Sequence, residues 1–143
     1  MIKKVSVAVL ALVLGLALAA CSEKDKESDA DGLRGQAACV QTPAPIADPK
    51  FPTPFPAIDD VTWTATNQAG PTEVVTGYTG DALPDLFNEM KEKFGEDGFT
   101  VEKSERDPHD AEVNFANDKS TGQVRLAEEC QGRTSVTVTI RPK

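Results

Sequence analysis

The sequence predicts a two-layer α+β domain: an antiparallel sheet of five or six strands with one helix packed on one face. Three observations lead there. Apolar and polar residues alternate at period two in several short segments, as half-buried strands require. A single segment carries an apolar stripe at helical spacing, formed by Leu83, Leu86, Phe87, Met90 and Phe94. Strands and helices do not alternate, so the crossovers of a parallel sheet are missing and the order reads ββαβββ.

The globular part is placed at 58–143. Val61, Trp63 and Ala65 alternate with Thr62, Thr64 and Thr66, which predicts a first strand with one apolar and one threonine face. Asn67 to Pro71 reads as a turn, and Glu73 to Tyr78 as the return strand of a hairpin. Asp81 is placed to cap the helix, and Pro84 falls in its first turn, where a missing N–H costs little. Gly95 or Gly98 ends the helix, and Phe99 is expected to fold back on the last turn. A helix this short needs tertiary packing to persist, so its stripe is core rather than a cofactor contact.

Phe99 and Val101 begin a third strand that runs into a polar loop, Lys103 to Pro108. Ala111, Val113 and Phe115 alternate again, Asn117 to Gly122 reads as a turn, and Val124 and Leu126 form another strand. After a Gln131-Gly132 turn, Val136, Val138 and Ile140 alternate with Ser135, Thr137 and Thr139. The sheet therefore has one apolar face under the helix and one face rich in threonine and serine, which an antiparallel sheet can leave to water. One helix is too little cover for such a sheet. Either a further segment shields the remainder, or the threonine-rich face meets a partner.

A shielding segment exists at 39–57. Its six prolines, Pro43, Pro45, Pro49, Pro52, Pro54 and Pro56, surround Phe51 and Phe55. Proline fixes φ and restricts the residue before it, so the segment is extended, polyproline-like chain. It reads as an ordered strap with its phenylalanines against the domain; the alternative is a docking segment for an aromatic groove on a partner. Upstream, 22–32 is SEKDKESDADG, charged, small and without a large apolar residue. Such chain cannot bury enough surface to offset its entropy and reads as a flexible tether through 38.

The first twenty residues are an export leader. Lys3 and Lys4 precede an apolar run of Val, Leu and Ala, and small residues lead to a cysteine at Leu18-Ala19-Ala20-Cys21. The run from Val5 to Ala20 would be about 24 Å of helix against a hydrocarbon core of about 30 Å, too short to span. Leu18 to Cys21 resembles the lipobox of bacterial lipoproteins, a resemblance confined to this N-terminal stretch. It implies cleavage before Cys21, a diacylglyceryl group (with palmitate-type acyl chains) on its sulfur, and a membrane-anchored protein facing the extracytoplasmic side. Two or more chains at about 0.8 kcal/mol per buried methylene anchor stably. With Cys21 so used, Cys39 and Cys130 remain as a pair in a compartment where disulfides persist. They bracket nearly the whole domain, and the loop-closure model gives such a bridge about 4 to 5 kcal/mol. The alternative is two reduced, buried thiols.

Charge narrows the partners. The chain carries −8; the leader holds two of the fifteen basic residues and none of the twenty-three acidic ones, so the processed chain stands at −10. Without a basic cluster, this balance argues against nucleic acid and against adhesion to anionic headgroups. The partners expected are the membrane, through the lipid, and an envelope protein.

Reactive constellations are sparse. A single histidine, His109, excludes paired-histidine zinc motifs, and no Gly-x-Ser-x-Gly, Ser-x-x-Lys or Gly-rich phosphate loop occurs. Lys119-Ser120-Thr121-Gly122 reads as a turn. Asp107, His109, Asp110 and Glu112 are the densest polar cluster, but Pro108 and the spacing do not fit a calcium loop, so they read as solvated. Trp63 and Tyr78 sit on neighbouring strands; exposed together they would suit stacking on a ligand, and Trp63 reads as core. No catalytic residue, metal ligand or cofactor is assigned. The functional expectation is a non-enzymatic binding or accessory module of the cell envelope. An envelope hydrolase with unidentified carboxylates and a structural assembly factor are the alternatives.

Overall fold

A computed structural model describes residues 36–143. The leader, the lipobox with Cys21 and most of the tether lie outside the described residues. The elements are β1 (Thr62–Ala69), β2 (Thr72–Thr79), α1 (Leu83–Glu96), β3 (Thr100–Arg106), β4 (Asp110–Ala116), β5 (Ser120–Cys130) and β6 (Arg133–Pro142). They form one six-stranded sheet in the order β1-β2-β6-β5-β4-β3, with every neighbouring pair antiparallel. The α+β class with one helix on the sheet is thus found.

The order is ββαββββ, not ββαβββ: four strands follow the helix. The stretch from Lys103 to Arg106, expected as loop, is the second half of β3. This strand is the sheet edge, where most side chains meet water, and a bulge between Val101 and Lys103 interrupts its alternation. An edge strand defended by Glu102, Lys103, Glu105 and Arg106 carries no apolar period to detect. Similarly, β5 starts at Ser120, so the turn before it is shorter than expected and Ser120 to Gly122 is strand. Gly122 is required there: a Cβ would stand 2.5 Å from both the Phe115 ring and the Thr139 carbonyl oxygen.

The stripe of α1 is buried as expected, with Leu83, Leu86, Phe87, Met90 and Phe94 turned onto β3, β4 and β5. At its C-terminus Gly98 adopts a left-handed φ of 81° and the Phe99 N–H donates to the Phe94 carbonyl at 2.9 Å. The two rings then meet edge to face at 5.6 Å, the apolar contact that closes a Schellman end. The N-terminus departs from expectation. Ala82 is the N-cap and no side chain caps the helix. Asp81 is turned back instead: its carboxylate accepts from the Thr79 hydroxyl, and its carbonyl accepts from the buried Thr134 hydroxyl. Satisfying two buried hydroxyls outweighs capping an exposed helix end.

Cross-strand pairs share a face, which sorts the sheet. Val75, Val138, Val124 and Val113 stand in one row under the helix, and Leu126 pairs with Val136 and Ala111 beside it. β1 deviates. Trp63 pairs with Gly77 and Ala65 with Thr76, so a bulge at Thr64 sends Trp63 and Ala65 to opposite faces and brings Thr66 opposite Val75. Tyr78 pairs with Thr62 on the open face. Trp63 and Tyr78 therefore cannot stack on one ligand. Trp63 is partly buried against the core and leans on the strap.

Phe51, Phe55 and Ile58 of the strap pack on the same core. Phe51 and Phe55 stack at 4.5 Å, Phe51 meets Trp63 edge-on at 5.0 Å, and Phe55 meets Phe94, Phe99 and Phe115. The second layer is thus shared between helix and strap.

Candidate functional site

Strand direction gives the domain two poles. Counted along β6, Arg133 marks one and Pro142 the other, about 30 Å apart at 3.3 Å per residue. Cys39 and Cys130 lie at the first, at disulfide distance with Cα atoms 5.2 Å apart. The chain entering there is fixed by other contacts. Gln131 N–H donates to the Ala37 carbonyl, the Arg133 guanidinium to the Gln41 carbonyl at 2.6 Å, and the Gln36 amide to the Glu128 carboxylate at 3.0 Å. His109 meets the same carboxylate through Nδ1 at 2.8 Å. Arg133 also lies over the Tyr78 ring. The chain upstream of Cys39, expected as the tether, joins the domain here, at its root.

From the root the chain rounds the sheet edge. Ile46 N–H donates to the Trp63 carbonyl at 2.9 Å, Lys50 N–H donates to the Thr66 hydroxyl, and the strap then crosses the helix-side face. Lys93 of α1 ties down its far end, donating to the Ala57 carbonyl and pairing with Asp59 and Glu89. Its hydrogen bond to Asp59, then that to Glu89, holds the Lys93 ammonium above its ordinary pKa.

At the opposite pole the strap stands off the sheet and leaves two adjoining clefts. One, of about 330 Å³, has Phe51, Pro52 and Pro54 as roof, Ile140 as floor, and Pro71 and Pro142 as wall. The other, of about 400 Å³, is polar, with Thr100, Glu102, Asp118 and Lys143. Pro54, Asn117 and Lys119 line both and form the seam. The seam is built by the turn before β5. Asn117 Oδ1 accepts from Lys119 N–H, Ser120 N–H and the Ser120 hydroxyl at 2.8 to 3.1 Å, which locks the carboxamide. Its Nδ2 has no partner among the described residues. Lys50 is paired with Asp48 at 2.7 Å, and that pairing raises its pKa, with Glu73 adding to the effect.

The threonine-rich face carries an open depression of about 340 Å³ with Thr72, Asn114, Gln123, Thr139 and Arg141. Part of its polar lining is already engaged, since the Gln123 amide donates to Asn114 and to Glu112 beside it. Of the polar cluster flagged in the sequence, Asp107 and His109 are exposed in the β3–β4 turn while Asp110 and Glu112 lie on β4. No three His, Cys, Asp or Glu side chains among the described residues are arranged to hold a metal ion. Among the same residues no helix is long and apolar enough to cross a membrane.

Sequence reading did not find the distal clefts. They join positions from three regions of the chain, Phe51, Asn117 and Ile140, and no local pattern links these. The one available signal was the strap itself, whose aromatic residues between prolines imply a surface to lie on. Compared with known proteins, the chain matches no family model and no curated protein significantly.

Proposed function

We propose that this protein is an extracytoplasmic lipoprotein, anchored through acylated Cys21, that acts as a non-enzymatic binding module. The observation that carries the reading is polarity. The root of the tether and the two clefts under the strap occupy opposite ends of the sheet, so the end joined to the anchor leaves these clefts unobstructed. From Cys21 to Cys39 the tether has an extended reach of about 60 Å at 3.3–3.6 Å per residue. That is long enough to let the domain stand clear of headgroups, which a net charge of −10 also favours. A cleft of apolar lining with few convergent polar groups is the usual form of a ligand site.

The test is photo-crosslinking on intact cells with p-benzoylphenylalanine at Asp118, beside the clefts, or at Asp107, near the root. The expected result is a discrete crosslinked partner from the Asp118 position and none from Asp107. Equal capture from both positions, or none from either, would overturn the reading.

A further inference from the structure

We propose that the distal clefts bind the carboxy terminus of a peptide or protein chain ending in an apolar residue. The proposal rests on the reading of this pole as the binding end and names what it takes. Size comes first: about 330 Å³ is at the low end for ligand sites and suits one or two side chains. The seam supplies donors. Asn117 is held rigid through its Oδ1, so Nδ2 is a fixed N–H donor, and Lys119 has no carboxylate partner among the described residues. A preset amide donor beside an ammonium is suited to a carboxylate that sits next to an apolar group.

Charge supports this assignment. Lys50 is engaged by Asp48 and has Glu73 near it, which leaves Lys119 as the cation facing the seam. Beyond the seam, the polar cleft offers both signs, Lys143 against Glu102 and Asp118, with Thr100 able to donate or accept. A peptide main chain needs that mixture, since every residue brings one donor and one acceptor. A fatty acid would need a continuation of the apolar cleft instead. The protein's own upstream chain cannot be the occupant. Leu33 is the single large apolar residue of the tether, six positions before Cys39, and reaches about 20 Å from the root. The clefts lie from Ile140 to Pro142, about 23 to 30 Å along β6 and beyond that reach.

The experiment uses the mature lipoprotein in nanodiscs, with empty nanodiscs subtracted, and fluorescein-labelled tetrapeptides read by anisotropy. One peptide ends in phenylalanine with a free carboxylate, the second is its amide, and the third ends in glycine. The acid ending in phenylalanine should bind saturably, and the amide and the glycine peptide at least tenfold more weakly. Asn117→Asp keeps the oxygen that locks the turn but replaces the donor with a negative charge, so it should weaken binding at least tenfold while leaving the thermal midpoint within a few degrees. Equal binding of acid and amide, an unchanged affinity in N117D, or no binding of any peptide up to 1 mM would overturn the proposal. A discrete partner captured from Asp118 alongside such a failure would leave the binding-module reading standing and remove only this ligand. Failure of both would remove both.

Discussion

Helix and strap cover the same face of one sheet but are held there in different ways. The helix satisfies its own backbone, closes its end with Gly98 and Phe99, and sets five side chains onto the sheet at 8% exposure or less. The strap has no internal backbone hydrogen bonds to rely on, as extended proline-rich chain never does. It is held by single contacts spread along it: Ile46 on Trp63, Lys50 on Thr66, Phe51 on Trp63, Phe55 on Phe94, and Lys93 at the far end. Its rings remain half-exposed. The difference teaches that one cover is structural and the other conditional, and that the clefts lie under the conditional one.

The comparison is broken most severely from the helix side. Phe94 is fully buried, stacked on Phe115 at 4.2 Å and met edge-on by Phe55 and Phe99. Phe94→Ala should cost about 3–5 kcal/mol, measured by urea unfolding, because both covers lean on it. Next is the root. Replacing Cys39 and Cys130 with serine should cost about 2–4 kcal/mol. It should also admit protease to 36–46 before the sheet unfolds, seen as a ladder of early cleavages by mass spectrometry.

Phe51→Ala sharpens the comparison, since it removes a strap ring of the same type as Phe94 from a half-buried place. The expected loss is roughly 1–2 kcal/mol, in proportion to the smaller apolar area withdrawn from water. Trp63, the single tryptophan, lies against Phe51, so its emission should shift to the red in this variant while far-ultraviolet circular dichroism is kept.

The smallest effect is electrostatic. Lys93 has a folded pKa raised above its ordinary 10.5 by Asp59, then by Glu89. Its contribution is therefore complete below about pH 10.5 and is lost as pH rises through the raised value. Trp63 emission should report loosening of the strap only above that point, and Lys93→Met should abolish the alkaline step. A step at neutral pH would contradict the assignment.

The same contrast explains what the sequence made legible. The helix stripe repeats within fourteen residues and the closing Gly98-Phe99 pair sits beside it, so both could be read directly. The inner face with Val113, Val124, Val136 and Val138 was legible for the same reason. Four apolar segments follow the helix in the sequence, one more than the order ββαβββ counts, and the second half of β3 reads as loop because an edge strand shows water a run of charge. The bulge at Thr64 was hidden because alternation continues unbroken in the letters while the register slips. Asp81 has the identity and position of a cap, and only the fold brings Thr134 to it from 53 positions away. The strap was legible as extended chain. Where it stands off the sheet depends on Ile140 and Asn117, which no neighbouring residue announces.

In the proposed function this folded domain hangs from a lipid at Cys21 and is pinned at Cys39, where the expected tether ends. Intact mass of the protein extracted from membranes tests it most directly. The expected mass is that of a chain beginning at Cys21, heavier by a diacylglyceryl group, and two hydrogens lighter for the Cys39–Cys130 bridge. An unmodified start, an uncleaved leader, or two titratable thiols at Cys39 and Cys130 would contradict it.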